Sequence, residues 1–328
     1  MPKYSIIVPV YNRPNEIREL LESLRTSTLS DFEVIIVDDG STESAESVIL
    51  SFKNYLNLKY HVKENSGPGL TRNFGAKKAK GDTLIFVDSD CLIPSNYLEE
   101  VDNNSGYDAF GGPDKAHSSF SPIQKAINFA MTSFLSTGGI RGKQRALERF
   151  KPRSFNMGVR KEVFEELGGF REMRFGEDID FTLRLIEGGF GSILIPEAFV
   201  YHKRRSTLSQ FFKQVYNSGM ARINLNVLHP GSMRLVHILP LGCVLFFISS
   251  IALSLFFGSI YSLPLLAYFA LIFGISTIQN ANPWIGFLTM PAVFIQIVGY
   301  GLGFLTSFWQ LHILKKPLSF GFDKSYYK

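Results

Sequence analysis

Charge is missing from about a quarter of this chain. Between Leu235 and Leu314 there is no Asp, Glu, Lys or Arg, and no Asp or Glu occurs from Ala198 to Phe322. An uncharged tract of that length excludes an ordinary soluble domain. Cysteine is almost absent. Cys91 and Cys243 stand far apart, which excludes a disulfide framework and any Cys-based metal spacing and fits a reducing compartment. No Gly-Lys-Ser/Thr follows the Gly-Pro-Gly at 67–69, so there is no P-loop. Met1-Pro2-Lys3-Tyr4 runs straight into a strand-like segment, so no signal peptide is expected. Internal repeats and low-complexity stretches are lacking as well.

What is present divides in two. The 328 residues carry 34 Lys and Arg against 29 Asp and Glu, with 45% hydrophobic and 19% charged residues. That composition excludes disorder, collagen and a coiled coil, and the length suits about two units. Residues 1–234 hold 30 basic and 28 acidic side chains, a normal globular balance on a length sufficient for a core. Nothing here calls for a nucleic-acid partner.

Tyr4 to Val10, Phe32 to Val37 and Thr83 to Val87 are apolar runs of strand length, separated by helical patterns such as Asn15 to Leu24. The pattern predicts an α/β fold with a mostly parallel sheet covered on both faces. Ligands bind at the carboxyl ends of such strands. Here those ends are Val10-Tyr11-Asn12, Asp38-Asp39-Gly40 and Asp88-Ser89-Asp90. Further strand-like runs are predicted at Ser192 to Ile195 and Phe199 to Tyr201, while 111–175 reads as less regular. Arg141 to Lys161 holds eight basic residues and one acid.

Leu208 to Leu228 predicts an amphipathic helix on the membrane, with Phe211, Phe212, Val215, Tyr216 and Met220 on a helical period. The uncharged tract breaks at Gly258 and near 280–283 into Ile238 to Phe257, Ile260 to Ile278 and Trp284 to Phe308. Each is long enough for ~30 Å of hydrocarbon. Lys203, Arg204, Arg205, Lys213, Arg222 and Arg234 precede the first span, which predicts a multi-pass membrane protein with a cytoplasmic catalytic domain. Three crossings leave Lys315 and Lys316 outside; two crossings and a re-entrant segment keep them inside. The expected division is a catalytic domain at 1–205, an interfacial helix region at 206–234, a membrane domain at 235–314 and a basic tail at 315–328.

Several residues have the right chemistry for a site. Asp88 and Asp90, at i and i+2 on a strand end, can approach one hard divalent cation, or can simply cap a turn. Asp39 can accept from a base or ribose, or start the next helix. Arg72, after the Gly-Pro-Gly turn, can meet phosphate. Glu177, Asp178 and Asp180 suit a helix N-terminus; a general base must also face a cleft, and Asp178 is the candidate, oriented by Arg184 or a backbone group. His202, followed by Lys203-Arg204-Arg205, can ligate metal or bind diphosphate, or be structural.

Together these motifs resemble the family 2 glycosyltransferases of GT-A fold. The resemblance runs through 5–12, 37–41 and 88–90, then Asn156-Met157-Gly158-Val159-Arg160, Gly168-Gly169-Phe170 and Gly176-Glu177-Asp178. It covers roughly the first 230 residues in order. It implies a GT-A catalytic domain followed by transmembrane helices, a nucleotide-diphosphosugar donor with UDP favoured, Mn²⁺ or Mg²⁺, and inversion at the anomeric carbon. It implies that Pro9, Tyr11, Asp39 and Arg72 surround the nucleoside, that Asp88 faces the ribose, and that Asp90, with His202, holds the metal. Asp178 becomes the catalytic base, with Glu177, Asn156 and Arg205 beside the site. The C-terminal spans resemble those of succinoglycan-type transferases and polyprenyl-phosphate sugar synthases. The Gln-x-x-Arg-Trp motif of processive synthases is missing.

The reading that follows is a transferase acting on a membrane-associated, lipid-linked saccharide acceptor in polysaccharide or glycolipid synthesis. Its alternatives are a polyprenyl-phosphate sugar synthase and, from another class, an inactive nucleotide-sugar-binding membrane subunit. The basic segment Arg141 to Lys161 is expected to meet lipid headgroups or the pyrophosphate of the acceptor.

Overall fold

Alternate residues of Tyr4–Val10 (β1) face opposite sides of a sheet, and both sides are buried. Ile6, Val8 and Val10 join one apolar cluster and Ile7 the other. A strand covered twice is apolar on both faces, which is why these runs show no polar alternation; the buried Ser5 of β1 is satisfied by donating to Glu33 at 2.7 Å. The computed structural model describes residues 2–138, 150–173 and 175–316.

In chain order β1 is followed by Pro14–Arg25 (α1), Phe32–Asp38 (β2), Glu46–Ser51 (α2), Leu58–Val62 (β3), Pro68–Lys78 (α3), Thr83–Val87 (β4), Cys91–Leu92 (β5) and Tyr97–Asn103 (α4). Ala109–Gly111 (β6), Asp114–Lys115 (β7), Pro122–Thr132 (α5), Phe134–Thr137 (α6), Asn156–Arg160 (β8), Lys161–Glu166 (α7), Glu177–Glu187 (α8), Ser192–Leu194 (β9) and Val200–His202 (β10) come next. The last helices are Leu208–Leu228 (α9), Leu239–Phe257 (α10), Leu263–Asn280 (α11) and Pro283–Phe308 (α12).

Seven strands form one mixed, mostly parallel sheet in the order β3-β2-β1-β4-β8-β6-β9. β3, β2, β1 and β4 run parallel, and β8 is antiparallel to both β4 and β6. One face is covered by Ile17, Leu20, Leu21 and Leu24 of α1 with Leu98 and Val101 of α4. Ala76 of α3, Val163 and Phe164 of α7, and Phe181 and Leu185 of α8 cover the other. Gly75 permits the close approach of α3: a Cβ there would lie 2.6 Å from Ile7 Cγ2. A small sheet, β5-β10-β7, stands apart from the main one. In it His202 on β10 pairs in register with Cys91 on β5. The α/β fold with a mostly parallel sheet is therefore as the strand pattern predicts, and the short strands β5 to β8 within or near the irregular region were not legible there.

The described residues divide into two compact units, 2–117 with 150–202 and 118–138 with 203–316. The segment at 118–138 thus departs from a catalytic domain read as 1–205. Its helix α5 buries Ala126, Ile127, Phe129 and Ala130 in one cluster with Phe211 and Val215 of α9 and Val293 and Ile297 of α12. The face of α9 carrying Phe211 and Val215 is consequently occupied by protein, not left free for lipid. α9 and α12 meet almost backbone to backbone: a Cβ on Gly219 would lie 2.2 Å from Tyr300 O, and one on Gly303 1.9 Å from Tyr216 O.

Three helical segments in this second unit are long and apolar enough to cross a membrane: Leu239–Phe257, Ser259–Asn280 and Pro283–Ile313. Their breaks have local causes. Gly258 takes φ 112°, and Asn282 caps α12 by accepting from Trp284 N at 2.9 Å.

Candidate active site

The rim at the carboxyl ends of β1, β2 and β4 is built by side chains that lock neighbouring loops together. Asn12 sits at φ 52°, a left-handed position that asparagine tolerates. Its Oδ1 accepts from Thr42 N at 2.8 Å and Glu43 N at 3.0 Å, so the exit of β1 is clamped to the exit of β2. Pro9 and Tyr11 lie half-buried on this rim. Asp39, buried, accepts from Lys63 Nζ and Ser66 N on Oδ1, at 2.8 and 2.9 Å, and from Gly67 N on Oδ2 at 2.8 Å. It thereby holds the loop that leads into α3; Oδ1 is filled by two donors, and Oδ2, with one, keeps a second lone pair for a ligand.

Arg72 is the hub. It is 3% exposed, and its Nη2 donates to Asp88 Oδ1 at 2.5 Å while Nη1 donates to Glu177 Oε1 at 3.0 Å. One guanidinium thus joins the end of β4 to the start of α8. Gly69 makes room for this, since a Cβ there would stand 3.1 Å from Glu177 Cγ. Arg72, expected around the nucleoside, is bound to two carboxylates, Asp88 and Glu177.

On the other side of Asp88 lie Asp90 and His202. His202 Nε2 is 3.1 Å from Asp90 Oδ1 and 3.8 Å from Asp88 Oδ2. The imidazole stacks on Phe155 with centroids 5.1 Å apart, and its Nδ1 has no hydrogen-bond partner among the described residues. Arg13 pairs with the other oxygen of Asp90. Two carboxylates and an imidazole form a donor set that suits a divalent cation such as Mn²⁺ or Mg²⁺. Cys91 is close by but belongs to the core: burial pushes its thiol far up, so it stays protonated and is no ligand for a hard cation.

Gly176, at φ 85°, turns the chain into α8 and presents Glu177 and Asp178 in its first turn. Asp178 is buried, and its Oδ2 accepts from Arg153 Nε at 2.6 Å while Oδ1 accepts from Ile179 N at 2.8 Å. Burial raises its affinity for a proton, but the Arg153 guanidinium, helped by Arg72 and the Ile179 amide, holds the carboxyl below the usual range. Glu177 behaves oppositely. Burial and the neighbouring Asp178 push it up to about 7 against the pull of Arg72. Adjacent carboxylates are thus driven apart, one ionised and one near its midpoint at neutral pH.

Asp180 is fully buried and pairs with Arg171 and Arg184, each at 2.9 Å. Arg184 therefore serves Asp180, and the orienting partner of Asp178 is Arg153 with the Ile179 amide. Asn156 is 1% exposed, accepting from Tyr97 OH at 2.6 Å and donating to Ala198 O at 2.8 Å, so it braces the sheet beneath the site. Arg205 is exposed and lies in the second unit.

The basic segment is only partly within the described residues. Arg141, Lys143, Arg145 and Arg149 lie outside them. Arg153 is committed to Asp178, Arg160 to Asp108, and Lys161 Nζ to Ala79 O at 2.9 Å. That part of the segment braces the first unit instead of presenting a free cationic surface. Arg13 and Arg153 are the two site residues that motif reading passed over. Arg13 directly follows Tyr11-Asn12 at a strand end, which is the one signal that marks it.

Comparison with known proteins decides the family. Residues 5–168 match the glycosyl transferase family 2 profile, and 154–313 match that of glycosyl transferase family group 2. The chain belongs to glycosyl transferase family 2. An uncharacterized glycosyltransferase of Haemophilus influenzae is 34% identical over 218 residues, covering 62% of this chain and 70% of that protein. Glycosyltransferase AglE of Haloferax volcanii is 26% identical over 76% of this family 2 chain and 82% of its own. Poly(ribitol-phosphate) beta-N-acetylglucosaminyltransferase TarS of Staphylococcus aureus is 41% identical, but over 31% of this chain and 18% of that protein. Among solved structures, mannosyltransferase PcManGT from Pyrobaculum calidifontis, in complex with GDP-Man and Mn²⁺, superimposes with a TM-score of 0.61 at 18% identity. The match covers 92% of this chain and 87% of that one. This likeness places the chain in the same fold.

Proposed function

We propose that this family 2 protein is an inverting, membrane-anchored glycosyltransferase that moves a sugar from a nucleotide-diphosphate donor, UDP-linked by preference, to a lipid-linked saccharide acceptor. One observation carries the reading. A continuous chain of polar groups runs from Asp90 through His202 and Asp88 to Arg72 and Glu177, and on through the adjacent Asp178 to Arg153. It sets an ionised carboxylate within one network of a metal-type donor set, at the strand ends where α/β sheets bind nucleotides. The donor class is supported by the fold shared with the Pyrobaculum enzyme, and the membrane acceptor by the three apolar helices.

Asp88, Asp90 and His202 would hold Mn²⁺ or Mg²⁺, whose charge offsets that of the departing diphosphate. The chain's own residues do the rest. Pro9, Tyr11 and Asp39 hold the nucleoside at the exits of β1 and β2. Asp178 accepts the proton of the acceptor hydroxyl as that oxygen bonds to the anomeric carbon from the face opposite the leaving group. The bond from the anomeric carbon to the diphosphate oxygen breaks, and its electron pair leaves with the diphosphate. Arg153 keeps Asp178 ionised and aimed, and Arg72 fixes Asp88 and Glu177 behind it.

The test is release of nucleoside diphosphate from a panel of nucleotide sugars by the detergent-purified protein, with native membrane lipids added, in Mn²⁺, Mg²⁺ and EDTA. Release from one donor, abolished by EDTA and by Asp90→Ala, is expected. Asp178→Asn should keep donor binding and lose transfer by about 10²–10⁴-fold, the range of a general base. A mild effect of Asp178→Asn would instead point to a lipid phosphate as acceptor, which hardly needs a base. Donor binding without turnover under every condition would favour an inactive subunit.

A further inference from the structure

The described residues of the second unit hold no acid. Residues 118–138 and 203–316 contain nine Lys and Arg and not one Asp or Glu. Most of these cations can reach water. Arg222, in the last two turns of α9, is 7% exposed. Its Nη2 donates to Ser232 Oγ, and its Nε has no hydrogen-bond partner among the described residues. Arg204 in the same unit shows the satisfied case: it too is buried, yet Nε and Nη2 both donate to Asn128 Oδ1, at 3.1 and 2.9 Å.

Three groups bear on Arg222: the Tyr300 phenol of α12, the hydroxyl of Ser232, and Arg234, which repels it. No carboxylate pairs with it among the described residues. A guanidinium does not shed its proton, so this is a buried charge with a donor left over and no counter-ion. The dipole at the C-terminal end of α9 does not account for it, since that effect falls off within the last turn and Arg222 stands six residues before the end of the helix at Leu228. The position is informative. Ser232 lies in the turn after Gly231, between α9 and the first apolar helix Leu239–Phe257. In a membrane this is the level of the headgroup phosphates.

We propose that Arg222, with Ser232 and Arg234, forms a binding site for the phosphate of a lipid headgroup at the entry to the first span. A phosphate oxygen fills the missing acceptor of Nε, supplies the counter-ion, and can accept from Ser232 once its oxygen has accepted from Arg222. The inference rests on the membrane reading of 239–313 and is independent of the transfer chemistry.

The experiment compares wild type, Arg222→Met, Arg222→Lys and Ser232→Ala, all full chain in neutral maltoside micelles. Each is titrated with phosphatidylglycerol and, separately, with inorganic phosphate at equal phosphate concentration. Tm and native mass spectrometry are the readouts. Phosphatidylglycerol should raise the Tm of wild type and remain bound as a single lipid, while inorganic phosphate should not. Arg222→Met should weaken retention by about tenfold or more, Lys and Ser232→Ala less. In micelles without anionic lipid Arg222→Met should be at least as stable as wild type, because it removes an unpaired buried charge. Equal lipid shifts in wild type and Arg222→Met would overturn the site. So would a Tm loss by Arg222→Met in neutral micelles, which marks a purely structural contact. If Arg222→Met does not fold, undiminished lipid retention by Ser232→Ala and Arg222→Lys overturns it equally. An equal response to inorganic phosphate would overturn the lipid source. Failure of the membrane reading is seen separately, as release of the protein by alkaline carbonate without detergent.

Discussion

Asp178 and Glu177 are consecutive, buried and carboxylic, yet their environments push them in opposite directions. The difference is one arginine each. Arg153 pairs directly with Asp178, whereas Arg72 pairs with Glu177 and Asp88 and acts on Asp178 only from farther off. Arg153→Ala therefore removes the main group that opposes burial. The acidic limb of the transfer rate against pH should move upward by about 1–3 pH units, with donor affinity little changed; an unmoved limb would show that Arg153 does not tune the base. For Glu177 the sign is reversed. A carboxyl raised in the folded state contributes stability fully present below its unfolded value and lost as pH rises toward its folded one. Here the window runs from the ordinary 4.5 to about 7. The Tm of Glu177→Gln should thus gain on wild type through that interval and run parallel above it. A difference independent of pH would mean that Glu177 does not titrate there.

Elements were legible where pattern alone determines them. β1, β4 and α9 carry unbroken runs or a clear helical period, and their bounds follow the periodicity to the residue. β6, β7 and β8 did not, because Ala109–Gly111 and Asn156–Arg160 mix Gly, Asn and Arg into strands whose pairing is set by distant partners. The site followed the same rule. Carboxylates at strand ends were visible as motifs, while Arg13 and Arg153 matter through contacts 77 and 25 residues away in the chain. The helical period gives the length of α9 but not its neighbour, since no periodicity reveals that its glycine face meets another. That contact is testable. Gly303→Val places a branched side chain where even a Cβ would lie 1.9 Å from Tyr216 O. The helices must part, and an overpacked contact of this kind costs about 1–3 kcal/mol or more. Thermal stability in detergent should fall sharply, whereas Gly274→Val, with open space around it, should be nearly neutral; equal effects would show that α9 and α12 do not pack closely.

For the whole molecule, the membrane reading of 239–313 makes flanking charge the predictor of orientation. Six cations between Lys203 and Arg234 precede the first apolar helix, and two, Lys315 and Lys316, follow the last. When flanks compete, the larger basic excess beside the first span usually prevails, so the first unit is expected on the cytoplasmic side. The segments Leu239–Phe257 and Ser259–Asn280 have 19 and 22 residues, or about 28 and 33 Å of helix. Both fall within the roughly 17–25 residues of transmembrane helices, which favours three complete crossings over a re-entrant segment and carries Lys316 to the outside. Single cysteines at the exposed positions Lys53, Ser259, Gln279 and Lys316, on a Cys243→Ala background, separate the two arrangements. An impermeant maleimide applied to intact cells should label Ser259→Cys and Lys316→Cys, and should reach Lys53→Cys and Gln279→Cys only after lysis. Ser259→Cys and Gln279→Cys labelled from the same side would make Ser259–Asn280 re-entrant between two crossings. The local basic flanks would then have governed both ends of the membrane unit, and Lys316 would return to the side of the first unit.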